Sequence, residues 1–270
     1  MSFGKRLAAF VAAWCLSLSV VHADQPTKVT KPERSSFHLY LLIGQSNMAG
    51  RGPVEEQDKT PHPRVLTFTR DHEWAPAVDP LHSDKPTAGV GLGSTFGRVM
   101  AEANPQVTIG LIPCAVGGTP LSRWQKGGDL WKQAIERAKL AMQDGTLRGV
   151  LWHQGEADSG KLETAESYTE RLSQMVRDLR IELQTPQVPF VAGHLGLFLK
   201  RERAEGAKSY WPLVNSQLDQ LPHLVPGTAV VPSTDLQHKG DDVHFDSASL
   251  RTFGRRYAEA MQKLQAAASK

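Results

Sequence analysis

Five short apolar runs, with stretches of a different periodicity between most of them, constrain this chain more than any other feature. The runs are FHLYLLIG (37–44), VTIGLIPCAV (107–116), LRGVLWHQG (147–155), VPFVAGHLG (188–196) and TAVVPST (228–234). Within 163–183, Leu172, Met175, Val176 and Leu179 recur at i, i+3, i+4 and i+7, which is one helix face. DLWKQAIERAKLAMQDG starts at a possible N-cap, Asp129, and stops at Gly145. The last helical pattern, about 247–265, begins with Ser247 and carries Leu250, Phe253, Tyr257 and Met261. Strands alternating with helices predict an α/β fold with a mostly parallel sheet covered on both faces.

Ligands of such sheets bind beyond the carboxyl ends of the strands. The polar motifs of this chain sit there: Ser46 follows the first run, Gly117 and Gly118 the second, Gln154 the third, and His244 lies in a loop after the last. Residues 51–92 are rich in Pro, His and Asp and carry no assignable pattern. A long irregular excursion near a site can shape a substrate pocket.

The first residues do not read as fold. Lys5 and Arg6 precede an apolar run from Leu7 to Val21, and Val21-His22-Ala23 offers small residues for cleavage, the pattern of a secretory signal peptide over 1–23. The run is short for a membrane span and holds Ser17 and Ser19. Residues 24–36 read as a polar, proline-bearing linker, and 37–270 as one domain. The expectation is a secreted or periplasmic protein that has no membrane partner once cleaved. Cleavage lowers the formal charge from +3 by the two charges of Lys5 and Arg6, to +1. With no basic cluster interleaved with aromatics, nothing points to nucleic acid. Of the two cysteines, Cys15 leaves with the signal, so Cys114 has no intrachain partner. Its apolar run reads as a buried strand position rather than a reactive thiol.

Four motifs carry chemistry. In LLIGQSNMAGRG, a strand ends at Gly44 and Ser46 follows two residues later, so a sharp turn can present its hydroxyl as a nucleophile elbow does, although the spacing is not G-x-S-x-G. A plain turn or helix cap is the competing reading. In GDDVHFD, Asp241 can turn back to the imidazole of His244, leaving the other ring nitrogen for a serine; Asp242 is the neighbouring competitor. In LWHQGEAD, the Gln154 amide can donate to a developing oxyanion. Metal ligation by His153, Glu156, Asp158 or the 241–246 loop is a rival, but neither H-E-x-x-H nor a Cys-His zinc spacing occurs. VGGTPLSRW supplies an unobstructed backbone N–H for the same oxyanion. No dinucleotide or P-loop glycine pattern is present, so no cofactor is expected. Trp124, Trp152 and Trp211 offer either sugar stacking or core packing.

IGQSNMAGRG, VGGTPLSRW, WHQGEAD and DDVHF, in this order over about 37–260, resemble the SGNH hydrolases, in the branch of sialate O-acetylesterases and acetylxylan esterases (carbohydrate esterase family 6). The resemblance implies a flavodoxin-like three-layer α/β/α fold and a metal-free serine esterase acting on acetylated carbohydrate. It implies Ser46 as nucleophile, His244 as base and Asp241 as its orienting acid, with Glu156 as a possible auxiliary acid. The Ser46 amide, Gly117 or Gly118, and Gln154 would form the oxyanion hole. Gln45 stands where the wider superfamily often has Asp, and Gln154 where it has Asn; both departures match this branch.

Overall fold

The computed structural model describes Met1, residues 30–200, Glu202 and residues 206–268. The expected signal peptide, apart from Met1, and residues 24–29 of the expected linker lie outside the described residues. Among the described residues, no helix is long and apolar enough to cross a membrane.

Seven strands form one sheet: β1 (Phe37–Gly44), β2 (Val65–Phe68), β3 (Trp74–Pro76), β4 (Thr108–Pro113), β5 (Thr146–His153), β6 (Phe190–Gly193) and β7 (Thr228–Val231). Their order is β3-β2-β4-β1-β5-β6-β7. All neighbours are parallel except the β2–β3 pair. Setting aside the β2–β3 edge leaves the flavodoxin-like order 2-1-3-4-5, with its switch point at β1. The five strands expected from the apolar runs are all present. The second is shorter than its run, although Cys114 N–H and Val116 N–H still donate to Leu42 O and Gly44 O at 2.9 and 3.0 Å. Cys114 therefore sits half-buried just past β4, and burial pushes its thiol up to about 11.

The helices are α1 (Ser46–Ala49), α2 (Leu92–Ala103), α3 (Asp129–Ala141), α4 (Leu162–Glu166), α5 (Tyr168–Glu182), α6 (Trp211–Leu218), α7 (Leu221–Leu224) and α8 (Ser247–Ala268). They cover both sheet faces. Side chains alternate across a strand, so Phe37, Leu39, Leu41 and Ile43 of β1 pack in one layer with Leu130, Leu172 and Val214 of α3, α5 and α6. Tyr40 and Leu42 pack in the other, with Phe96 of α2 and Phe253 of α8. The helix face expected from Leu172, Met175, Val176 and Leu179 is the buried face of α5, and the four apolar residues expected for the last helix are all buried in α8.

The central strands end together. Gly44 pairs with His153, and Leu42 with Pro113. A Cβ on Gly44 would lie 2.1 Å from the His153 carbonyl oxygen, and its φ is +136°, so only glycine lets β1 close against β5 here. The chain leaves the sheet at this point with Ser46 in the crevice between β4 and β5.

Candidate active site

Gln45 N–H donates to His153 O, and Gln45 O accepts from Met48 and Ala49. The chain therefore turns directly from strand into α1, which starts at Ser46. The turn buries Gln45, Ser46 and Asn47, yet Gln45 and Ser46 still line a cavity of about 760 Å³. Gly117, Gly118, Glu156, Asp241 and His244 also line it.

Ser46, His244 and Asp241 come within hydrogen-bond reach of one another. Ser46 Oγ lies 3.1 Å from His244 Nε2, and His244 Nδ1 lies 2.7 Å from Asp241 Oδ2. The three-residue offset works because the aspartate uses both oxygens. Oδ1 accepts the N–H groups of Val243 and His244 at 3.0 and 2.8 Å, closing a tight Asx-type turn, and Oδ2 faces the ring. Burial works against the charge, but the hydrogen bonds from His244 and Val243 outweigh it and hold the Asp241 carboxyl at about 2. A carboxylate at Nδ1 keeps the proton there and turns the Nε2 lone pair to the serine. Asp242 points elsewhere, to Lys200 at 2.5 Å and His238 at 3.3 Å.

Two of the expected oxyanion donors are engaged otherwise. Gly117 N–H donates to Asp84 Oδ2 at 2.8 Å. Asp84 belongs to the irregular 51–92 excursion and forms a buried pair with Arg51, Nη2 to Oδ2 at 2.6 Å and Nη1 to Oδ1 at 3.3 Å. Burial alone would raise the Asp84 carboxyl; the Arg51 and Gly117 donors outweigh it and hold it below the usual range. The Gln154 side chain is fully buried, and its Nε2 donates to Asp158 Oδ2 (2.6 Å), Thr119 O (3.0 Å) and Gln45 Oε1 (3.2 Å). Its Oε1 accepts from Tyr168. Gln154 is thus a buried strut rather than a donor into the cavity. Ser46 and Gly118 line the cavity, and their N–H groups have no acceptor among the described residues.

Glu156 Oε1 accepts from Asn47 Nδ2 at 2.6 Å and lies 3.8 Å from His153 Nε2, so this carboxylate sits on Asn47 and not on His244. Asp158 accepts from Leu121 N–H and pairs with Arg171 at 2.9 Å. Among the described residues, no group of three His, Cys, Asp or Glu side chains is placed to hold an ion. Trp124, Trp152 and Trp211 are 1%, 0% and 8% exposed, and none lines the cavity. They are core residues, and the cavity wall combines polar and charged side chains with Ala157, Leu199, Val243 and the two glycines.

His153 is sealed between Phe245 and Phe253, with Nδ1 3.2 Å from the Tyr257 hydroxyl. Burial lowers it to about 3, and His82 likewise to about 3. Each is protonated in an unfolded chain below about 6.5, but not in the folded one until about 3. Their contribution to stability is complete above about 6.5 and declines as pH falls toward 3. Buried Asp79, raised to about 7, has the opposite sign: its contribution is complete below the ordinary carboxylate value and is lost as pH rises through about 7. Two histidines outweigh one aspartate. The melting temperature is expected to fall between pH 6.5 and 4, as calorimetry across that window would show. A melting temperature that rose on acidification would mean that Asp79 acts alone and that His82 and His153 titrate as they do in the unfolded chain.

A family model described as carbohydrate esterase, sialic acid-specific acetylesterase, matches residues 36–263. A protein of Arabidopsis thaliana named probable carbohydrate esterase is 34% identical over 185 residues, covering 60% of this chain and 71% of its own. An X-ray structure of an Arabidopsis thaliana protein superposes with a TM-score of 0.76 at 26% identity, over 86% of this chain and 99% of that one. A structure described as a novel carbohydrate acetylesterase from Xanthomonas citri has a TM-score of 0.65 at 20% identity, over 85% of this chain and 57% of that one, a likeness of fold.

Proposed function

The chain belongs to the carbohydrate esterase, sialic acid-specific acetylesterase family and is a carbohydrate O-acetylesterase, and from that premise we propose that it works through an acetyl-enzyme on Ser46. The observation that carries this reading is the continuous line from Ser46 Oγ to His244 Nε2 (3.1 Å) and from His244 Nδ1 to Asp241 Oδ2 (2.7 Å) at the cavity wall. Ser46 Oγ attacks the acetyl carbonyl while His244 Nε2 takes its proton, because a neutral hydroxyl is a poor nucleophile without a base. The carbonyl oxygen becomes an anion, and the N–H groups of Ser46 and Gly118 are the backbone donors at hand to hold it. His244 then returns the proton to the departing sugar oxygen. Water, deprotonated by the same imidazole, releases acetate. Asp241 stays charged and stabilises the imidazolium throughout.

The substrate is an O-acetylated carbohydrate of the sialate or acetylxylan type. The enzyme acts outside the cytoplasm, a reading supported by Lys5, Arg6, the apolar run to Val21 and the small residues up to Ala23. Acetate release from O-acetylated sialic acid, compared with release from acetylated xylan, tests the substrate; at least one is expected to be turned over. Sugar binding with no acetate release from any ester would replace the enzyme by a binding module. Faster turnover of longer p-nitrophenyl acyl esters than of the acetate would replace it by a general esterase.

None of these steps calls on a metal. Exhaustive chelation is expected to leave turnover unchanged. Activity lost on chelation and restored by one divalent ion would move the chemistry to metal-assisted hydrolysis.

A further inference from the structure

We propose that Asn47 is the positioning residue that sets the distance from Ser46 to His244, by holding the backbone on both sides of the histidine, with Glu156 as the acceptor that fixes its amide. The inference rests on the reading of Ser46 and His244 as nucleophile and base.

Asn47 follows Ser46 in α1, is 1% exposed, and lies 198 residues from Phe245. Its Nδ2 donates to Val243 O at 3.2 Å, and its Oδ1 accepts from Phe245 N–H at 3.2 Å. Val243 and Phe245 flank His244, so one planar amide spans the two peptide groups that bracket the imidazole. The second Nδ2 hydrogen goes to Glu156 Oε1 at 2.6 Å. A carboxylate only accepts, so it keeps the NH2 end on its own side and leaves Oδ1 for Phe245. Both Asn47 and Ser46 are fixed to the end of β1, and Glu156 follows the end of β5. The clasp thus references the histidine loop to the two central strands.

Several other hydrogen bonds of this loop are internal. Lys239 N–H donates to His244 O at 2.9 Å, and Asp242 N–H donates to His238 Nδ1 at 3.0 Å. These keep the loop's shape but leave its distance from Ser46 open. The Asn47 amide joins the serine turn to the histidine directly, and a displacement of about 1 Å at such a contact can lower the rate about a hundredfold.

Glu156 therefore does its work one residue removed from the reacting groups. This separates it from an acid that touches the imidazole, because it reaches the histidine loop through the direction of the Asn47 amide.

Four proteins test the clasp: wild type, Asn47→Asp, Glu156→Gln, and Asn47→Asp with Glu156→Gln. Asn47→Asp keeps the shape but sets a carboxylate against Glu156 and the Val243 carbonyl. It is expected to lower kcat about a hundredfold with KM changed little. Glu156→Gln alone retains an acceptor for Asn47 and is expected to lose only a few-fold. In the double variant, the new glutamine amide donates to the new aspartate and reverses the lost bond, so kcat is expected to recover about tenfold over Asn47→Asp. The rate at which a fluorophosphonate labels Ser46 should follow kcat across the series, with melting temperatures measured alongside. Wild-type kcat in Asn47→Asp, or a double variant no faster than Asn47→Asp, would overturn the clasp. Should Asn47→Asp fail to fold, Glu156→Gln paired with a folded double variant still decides it: a double variant no slower than Glu156→Gln would show that the Asn47 tie to Val243 sets nothing. A wild type that releases no acetate overturns the functional reading instead, and labelling rates still report the clasp.

Discussion

Ser46→Ala is expected to lower kcat for acetate release by about a thousandfold or more while the protein folds normally. The hydroxyl makes one side-chain hydrogen bond, to His244 Nε2, and Ser46 sits at the cavity wall. Its removal leaves no buried donor or acceptor stranded in the core. The Ser46 N–H stays in place, because Gln45 and α1 fix the backbone without help from the side chain. Residual activity above the water rate would report what the backbone donors and sugar binding still supply. The melting temperature should match that of the wild type within the error of the scan. A fluorophosphonate should label the wild type at Ser46 and leave the alanine variant unlabelled. A folded Ser46→Ala protein with near-normal turnover would sink the acetyl-enzyme proposal.

The second large effect is expected at Asp241. Asn at this position can still accept the Val243 and His244 N–H groups through its carbonyl oxygen, so the turn survives. Its NH2 then faces His244 Nδ1, where a donor meets a donor. The ring relieves this by moving its proton to Nε2, which removes the lone pair from Ser46. A loss in kcat on the order of ten-thousandfold with little change in KM follows, the size found when a triad acid is neutralised without altering its shape. Asp242→Asn is the control. Its carboxylate meets Lys200 and His238 near the surface, and its loss is expected to change kcat only a few-fold. If Glu156→Gln were the severe variant and Asp241→Asn mild, the orienting acid would be Glu156. Because the Asp241 carboxyl is held at about 2, its protonation should leave no inflection in the rate profile above pH 4.

The elements legible in the sequence were those whose local pattern agrees with their surroundings. The strands β1, β4, β6 and the second half of β5 are largely buried on both faces and read as continuous apolar runs, and β7, half-buried at the sheet edge, keeps a run of apolar residues. The α5 and α8 stripes read because each helix buries one face only. The edge pair β2–β3 was hidden because its strands have only four and three residues amid prolines and charges. The helix α2 was hidden for another reason. It carries Gly93 and Gly97, which weaken a helical reading. Yet a Cβ on Gly97 would lie 2.8 Å from Val65 Cγ1 and 3.2 Å from Leu111 Cδ1, so the sheet demands the residue that the local pattern disfavours.

The site divides in the same way. The Asp241–His244 offset is local, and a tight turn delivers it. Whether Gly117 and Gln154 present free donors depends on partners that spacing does not reveal. Asp84 comes from the excursion that carried no pattern, and Asp158 is turned toward Gln154 by Arg171 and the Leu121 amide. The role of Asn47 was equally out of reach, since its three partners lie 109 to 198 residues away.

That separation also orders events during synthesis. A ribosome extrudes Ser46 and the whole first half of the sheet well before His244 appears, and α8, whose Phe253 packs against Phe245 at 5.3 Å, comes later still. Every prematurely terminated product that contains Ser46 but stops short of residue 244 carries the proposed nucleophile without its base. On that reading no such fragment deacetylates a sugar, so hydrolytic activity doubles as a report that translation ran past residue 244.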